Sequence, residues 1–520
     1  MKNLMFLVIT VVVYYFSHGE PAHIVGIILA PALMLALIDR IKNKTRAAFL
    51  VLSIVYGCFI FQWRNYIQAP MPIYLIIAFG NALFFNLPYL FFIFIKKEKN
   101  NALTYMTIPL GFVMVEYMIS SLSPYASWGS VAYDIPDINF LNQIVSVTGL
   151  YGISFIIRLG SVVIYLFFKR LLISKGNFKS HVSKAEIAVF SFFLVSLVSI
   201  YIFGFVRLKT DLNGVKVRLA GVTVPLSKES IIFSNIDYKK EFGSQLTRKD
   251  QILLEIYLLN KKVADTDKSL VNQWFKSIQD KLLEETESAI NQGAKLVVWS
   301  EGNGVCLKEN EAIFINRCQE LAKSKRAYLL VSLNSKILGV RNSENKTIAI
   351  DTNGIVHYSS LKSFPVPGAE ASVKGDELLE TMDTPFGKVS SVICFDADFP
   401  NLVRQTSKLN TSILFVPGYD WAAIVPYHTN MTKFRAIENG IPVFRQVNTG
   451  LSAVYNPLGI MENSKNFDIH SKDAVFIQDV TISKINTLYS KIGDVFAVLC
   501  IVCLCSIFLM SNKIQKLSDN

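Results

Sequence analysis

At 520 residues the chain has room for two or three domains, and its 51% hydrophobic and 18% charged side chains, with a mean hydropathy of +0.37, exclude an ordinary soluble protein. The net charge of +12 would suit a nucleic-acid binder. The basic residues, however, gather in short loops between apolar runs, so the charge is a topology signal and no nucleic-acid partner is expected.

Eight apolar runs predict membrane spans: 4–16, 23–37, 47–61, 73–95, 103–119, 144–168, 185–205 and 495–510. Most can cover a hydrocarbon core of about 30 Å. The first is short enough for a signal peptide, but the "YYFSHGEPAH" that follows holds no small-x-small cleavage site, so it counts as a span. One set of loops carries Lys2; Arg40, Lys42, Lys44 and Arg46; Lys96, Lys97 and Lys99; Lys169, Arg170, Lys175, Lys179 and Lys184; Lys513 and Lys516. The alternate short loops carry little beyond Arg64. The basic set is expected in the cytoplasm, which places the stretch between the seventh and eighth spans on the extracytoplasmic side. Trp63, Tyr66, Tyr125 and Trp128 fall at predicted outer ends of spans, as interfacial anchors, and the Trp128 loop is also a candidate for touching substrate. The expected division is a membrane domain over 1–210, a globular domain over 211–487, and a last span with a short tail over 488–520.

The globular stretch reads as alternating strands and helices, an α/β pattern. "VKVRLAGVTV" is a predicted strand, and "SLVNQWFKSIQDKLLEETESAINQG" a helix stopped by Gly293. "AKLVVWSEG" is a buried strand that delivers Glu301. A helix ("NEAIFINRCQELAKSKR") and a strand ("AYLLVSLN") follow. Next comes a hairpin turning at Asn353-Gly354, which delivers Lys362. "GKVSSVICFD" is a strand carrying Cys394. After it come a helix near 402–408, the strand "SILFVPG", a helix ending at Gly440, and the strands "PVFRQVN" and "LSAVYNP".

Seven cysteines are present. Cys58, Cys500, Cys503 and Cys505 lie in spans and read as packing. Outside the membrane Cys306 and Cys318 are able to pair, which leaves Cys394 as an odd thiol. A lone Cys at a strand end is usually core. Glu301, Lys362 and Cys394, however, all lie at the exits of predicted strands, where α/β sheets gather their chemistry. A carboxylate can take a thiol proton and return it to a leaving group, and an ammonium can stabilise a thiolate and an oxyanion. Acyl transfer needs those three functions. Cys306 is a rival nucleophile without a comparable turn. The six His are scattered with no ligand-like pair, so neither metal nor organic cofactor is expected.

On these residues the chain resembles the nitrilase superfamily of carbon–nitrogen hydrolases. With the multi-span arrangement it resembles the superfamily's membrane-bound apolipoprotein N-acyltransferase branch. "VVWSEG" is similar to the family strand ending in Trp-Pro-Glu, "LKSFPVPGAE" to Lys-x-x-Leu-Val-Pro-x-Gly-Glu, and "ICFDADFP" to Ile-Cys-Tyr-Glu-x-x-Phe-Pro. "FRAIENGIPVFRQVNTGLSAVYNPLGI" is similar to the Arg-Ala-Ile-Glu-Asn-Gly … Asn-Thr-Gly-x-Ser segment, and "GLYGISFIIRLG" to the sixth span. The resemblance implies an αββα sandwich, with Glu301 as general base, Lys362 as oxyanion cation, Cys394 as nucleophile, and Glu370 and Asp396 in support. Ser300 stands where the family has Pro, Asp396 where it has Glu, and "AGVTVP" where it has Val-Gln-Gly-Asn-Ile-Pro. The Trp that usually follows is absent from "LSKESIIFSN". "FVPGYDWAAIVPYH" replaces Asn-Ile-Ser-Asn-Asp-Ala-Trp-Phe-Gly, which makes Tyr419, Asp420 and Trp421 candidates for substrate specificity. His428, before the "RAIENG" helix, is a candidate for substrate contact or a polar helix start. Arg435 and Glu438, three apart on that helix, read as a structural pair.

The resemblance implies a bacterial inner-membrane enzyme that moves a fatty acyl chain from a phospholipid donor, through a cysteine thioester, to the α-amine of a diacylated lipoprotein. Its partners would be the donor, the acceptor and the bilayer. Two other readings stay open: a membrane-tethered amidase or an acyltransferase for another amine, and a non-catalytic relative.

Overall fold

The computed structural model describes residues 2–518 apart from 68, 97–100, 136, 174–182, 225–264, 338–339, 341, 469–470 and 472–473. Expectations on Lys97, Lys99, Lys175, Lys179 and "LSKESIIFSN" fall outside the described residues, as do the side chains of Lys2, Lys513 and Lys516. The chain forms two compact units, one of Met1–Thr210 with Thr487–Asn520 and one of Asp211–Asn486.

The first unit is helical. Its long helices are α1 (Lys2–Tyr15), α2 (Ile24–Asp39), α3 (Lys44–Gln62), α4 (Met71–Ile95) and α5 (Ala102–Leu122). Three one-turn helices follow, α6 (Val131–Asp134), α7 (Asn139–Asn142) and α8 (Val145–Thr148), then α9 (Tyr151–Ile173), α10 (Lys184–Leu208) and a final helix, Val495–Ser518. Among the described residues five helices, α3, α4, α5, α9 and α10, are long and apolar enough to cross a membrane. Of the other three expected spans, two are the shorter apolar helices Leu4–Tyr15 and Ile24–Asp39, and the third is the apolar stretch Val495–Ser511 of the 24-residue final helix. The 14 residues of α1 rise only about 21 Å at 1.5 Å each, short of a full hydrocarbon core. The sixth expected span also starts late, at Tyr151 and not Ile144. Gly149 breaks it with a φ of +63°, and a Cβ there would lie 2.6 Å from the Tyr489 ring.

The basic helix ends converge. Asp39, closing α2, pairs with Lys96 after α4 at 2.5 Å and with Lys169 of α9 at 3.0 Å, while Lys44 donates to the Phe94 carbonyl. In another part of the unit Trp63, Tyr66 and Trp128 meet edge to face. Trp63, Trp128 and Tyr125 help line an open, mostly apolar pocket. Helix α10 buries only Val189 and Gly204, so its apolar side chains face outward nearly all round, as a lipid-exposed helix requires.

The second unit stacks two sheets. Its strands are β1 (Val215–Val222), β2 (Leu296–Trp299), β3 (Gly304–Leu307), β4 (Tyr328–Lys336), β5 (Glu344–Ile350), β6 (Val356–Leu361), β7 (Lys388–Ser391), β8 (Thr411–Gly418), β9 (Val443–Val447), β10 (Gly450–Tyr455), β11 (Met461–Phe467) and β12 (Val475–Ile482). One sheet runs β12-β1-β2-β4-β5-β6 with β3 on β4, and the other runs β11-β10-β9-β8-β7. Alternate residues divide between two cores. Leu219, Leu296, Val298 and Leu330 face Ile413, Phe415 and Phe444 of the other sheet. Their neighbours Ala220, Val297, Trp299 and Val331 pack on the outer helices, through Leu282 of Asp265–Asn291 and Phe314 of Glu311–Lys325. On the far side Leu414, Val416 and Val443 meet Leu402, Val403 and Ala436. The layers are therefore helix, sheet, sheet, helix. Burial on both faces explains the continuous apolar runs of the central strands.

Differences from the sequence reading are local. β3, β11 and β12 were not expected. The helix at 402–408 is two single turns, Pro400–Val403 and Gln405–Lys408. Cys306 and Cys318 are free, buried thiols and not a disulfide.

Candidate active site

Glu301 follows β2 in a turn closed by Gly302, whose φ is +60°. Ser300, in place of the family Pro, is fully buried and donates its hydroxyl to Thr223 Oγ1 at 2.9 Å, tying the turn to the end of β1. Glu301 Oε1 accepts hydrogen bonds from Asn345 Nδ2 at 2.8 Å and Lys362 Nζ at 2.7 Å.

Lys362 follows β6, and its side chain has no solvent exposure. Its backbone is held from both sides: N–H to the Asn345 carbonyl, and carbonyl to the Gly375 N–H. Nζ donates to Glu301 and, at 2.7 Å, to Glu370 Oε1. Burial alone would depress this amine. The carboxylates of Glu301 and Glu370, with Cys394 and Asp396 nearby, instead hold its pKa well above the usual lysine value. Burial raises the Glu370 carboxyl, against the pull of Lys362.

Cys394 opens a 3₁₀ turn, Cys394–Asp398, just past β7. Its φ of +51° lies in the left-handed region, which a non-glycine residue adopts only at a cost. The turn lifts Sγ off the strand path, 3.8 Å from the Tyr419 carbonyl. Burial and then Glu301 raise the thiol's pKa, while Lys362 and His428 lower it. Asp396 staples the elbow to the lysine loop: its carboxylate accepts from the backbone N–H groups of Ser363, Phe364 and Ile393 at 3.2, 2.7 and 3.2 Å. Burial pushes it up to about 7, against Lys362 and those three donors. Phe364 and Phe399 stack across the same two loops, with centroids 3.5 Å apart.

Close to the sulfur also lie His428 and Asp420, with one atom of each and Sγ all within 4.8 Å of one another. His428 is the second residue of the helix Tyr427–Asn439 and is 2% exposed. Asp420 follows β8, and Arg445 reaches in from β9 with its Nη2 2.7 Å from Asp420 Oδ1. Tyr419 enters through its carbonyl, and Trp421 is half-buried in the same loop. Arg435 and Glu438 pair at 3.0 Å, both buried, as expected of a structural pair. The Cys394–Asp420–His428 donor set does not fit a metal ion, because the Arg445 guanidinium already lies against both Asp420 and His428.

The structure thus brings Glu301, Lys362, Glu370, Cys394 and Asp396 together from strand exits far apart in sequence. Asn345, Asp398 and Arg445 were not singled out beforehand. A signal existed for Arg445, a charge inside the apolar run "IPVFRQV". Asp398 was hidden behind its neighbour Asp396, and Asn345 sits in a strand of mixed polarity.

Comparisons with known proteins divide along the same lines as the two units. Residues 12–163 match the family model of the apolipoprotein N-acyltransferase N-terminal domain, and residues 271–466 match that of the carbon–nitrogen hydrolases. The apolipoprotein N-acyltransferase of Rickettsia bellii is 23% identical over 95% of each chain. That of Geobacter metallireducens is 23% identical over 78% of this chain and 74% of its own. A deaminated glutathione amidase of Dictyostelium discoideum is 31% identical over 26% of this chain and 52% of its own. Among solved structures an amidase from Nesterenkonia sp. aligns over 55% of this chain and 95% of its own, with 16% identity and a TM-score of 0.39.

Proposed function

The chain belongs to the apolipoprotein N-acyltransferase branch of the nitrilase superfamily, and on that premise we propose that it transfers a fatty acyl chain from a membrane phospholipid, through a thioester on Cys394, to the α-amine of a lipoprotein's diacylglyceryl-cysteine. The observation that carries this reading is the elbow thiol set beside a buried lysine shared by two carboxylates, in a chain whose other unit is built of apolar helices.

In the first half-reaction Glu301 takes the Cys394 proton and the thiolate attacks the ester carbonyl. Lys362 balances the oxyanion of the tetrahedral intermediate. Its collapse breaks the C–O bond, Glu301 returns the proton to the departing alkoxide, and lysophospholipid leaves. In the second, the acceptor amine attacks the thioester carbonyl and its proton passes to Glu301; the C–S bond then breaks, and Glu301 returns that proton to the departing thiolate, freeing the thiol. Glu370 holds Lys362 from its second side, and Asp396 fixes the elbow relative to the lysine loop. Tyr419 and Trp421, from the loop after β8, border the sulfur where substrate groups are chosen, while the buried Asp420 of the same loop is held by His428 and Arg445. Residues 211–487 act on the extracytoplasmic side of the inner membrane, a placement supported by the convergence of Lys96 and Lys169 on Asp39.

The test is mass spectrometry of the full chain in phospholipid micelles. A fatty-acyl adduct on Cys394 that disappears when diacylated lipopeptide is added, with N-acylated lipopeptide formed, is the expected result. Cys394→Ala should abolish both. The replaced 415–428 stretch favours one second reading, an amidase, which would release ammonia or amine from a small amide and transfer nothing to lipopeptide. Absence of any adduct and of any amide cleavage would identify a scaffold.

A further inference from the structure

None of the acyl-transfer steps uses the buried group of Asp398, Asp420, His428 and Arg445, each 2% exposed or less. His428 Nε2 is 3.0 Å from Asp398 Oδ2, and Nδ1 is 2.7 Å from Asp420 Oδ1. Arg445 Nη2 donates to the same Asp420 oxygen and stands 3.0 Å from His428 Nδ1. A neutral imidazole has one acceptor nitrogen. A bare Nδ1 would accept from Arg445 but would face Asp420 Oδ1, the nearer atom, with no proton between them. Only the imidazolium donates to both carboxylates. Burial and Arg445 oppose that charge, and the two carboxylates outweigh them, holding the ring's pKa well above the usual histidine value. The same pairing pulls Asp420 down to about 2, chiefly through Arg445 and then His428, against its burial.

This fixed cation lies against the nucleophile. The thiolate needs it. Sγ is buried and near the Glu301 carboxylate, and both conditions disfavour a negative sulfur. Lys362 offers one positive charge, but Glu301 and Glu370 already divide it. We propose that His428 is the second cation of the site, an imidazolium clamped between Asp398 and Asp420 that stabilises the Cys394 thiolate together with Lys362. His428 keeps both ring protons throughout; the thiol proton goes to Glu301. Asp398 and Asp420 act through the ring as positioning residues, and Arg445 holds Asp420 in place. Asp398 of the elbow, Asp420 of the following loop, Arg445 of β9 and Cys394 face the ring. Glu301 and Lys362 act on the same sulfur.

The proposal rests on Cys394 being the nucleophile, and its test is separable from that reading. The rate of iodoacetamide alkylation at the Cys394 peptide of the full chain in detergent is measured from pH 5 to 9. The comparison is between wild type, His428→Gln and the isosteric Asp420→Asn, with folding checked by gel filtration. Losing the cation should move the alkylation inflection to higher pH by about one unit, a tenfold slower reaction at neutral pH. Curves for the folded variants that superimpose on wild type would overturn the proposal, even if acyl transfer were lost, because a packing role alone would then account for His428. Should His428→Gln not fold, Asp420→Asn decides on the same two outcomes. A wild-type enzyme that never carries an acyl group on Cys394 would instead sink the thioester reading.

Discussion

Lys362 shows how a single residue can be placed by its neighbours' charges. An amine with no exposure persists as a cation because two carboxylates meet it at 2.7 Å. Replacing it with Met removes the oxyanion's partner and leaves Glu301 and Glu370 facing each other across a dry gap. Acyl-enzyme formation should fall by at least ~10²–10³-fold, read as the single-turnover rate of adduct formation on Cys394. Glu370→Gln keeps the size and one hydrogen bond, so its loss should be smaller; an equal loss would mean that Glu370 does more than hold Lys362. At this scale the sequence was informative where a reactive residue closes an apolar run, as in "VVWSEG" and "SSVICFD". It was silent where the partner comes from a strand of another sheet position, as Asn345 does, since nothing in a linear pattern says which strands are neighbours.

Among the elements, the 3₁₀ turn after β7 and the loop after β6 are joined by one carboxylate. Asp396, with its pKa pushed to about 7 by burial, makes this joint sensitive to pH. An acid whose folded pKa is raised above the unfolded value of about 4 contributes stability that is full below that value and is lost as pH rises through about 7. Thermal unfolding of the wild type in detergent should therefore shift downward between pH 4 and 7. Asp396→Asn, which cannot ionise, should flatten that slope; the same slope in both proteins would assign the dependence to other groups. Most strands that the sequence predicts correctly are buried on both faces; the largely exposed β6 is legible through its Asn353-Gly354 turn. β11, "MENSKNF", is an edge strand with one buried residue, Phe467, and carries no alternation to read. β3 is four residues long and lies within a stretch that looks like loop. The same limit applies to the sixth span, where an apolar run continued past the glycine that breaks it.

For the whole molecule, hydropathy marked all eight apolar helices but not their lengths: α1 and α2 have 14 and 16 residues, while the final helix has 24, because packing sets where a helix ends. The charge pattern is better served: loops that are rich in Lys and Arg bring their helix ends together at Asp39. Orientation is directly testable. A thiol introduced by Lys42→Cys should be shielded from a membrane-impermeant maleimide in intact spheroplasts, and one introduced by Glu462→Cys should be labelled. The reverse pattern would put the catalytic unit in the cytosol and end the lipoprotein reading, since its acceptors would lie across the membrane.

The left-handed backbone at Cys394 carries one more consequence. Glycine is the side chain that this conformation prefers, and an alanine there meets the same steric penalty as the cysteine. Two inactivated forms of the protein should then differ in ruggedness. Cys394→Gly should unfold at a higher temperature than Cys394→Ala, by the equivalent of about 1 kcal/mol once glycine's freer unfolded chain is counted. The sulfur would then sit where the backbone least welcomes it, with reactivity kept at the expense of durability.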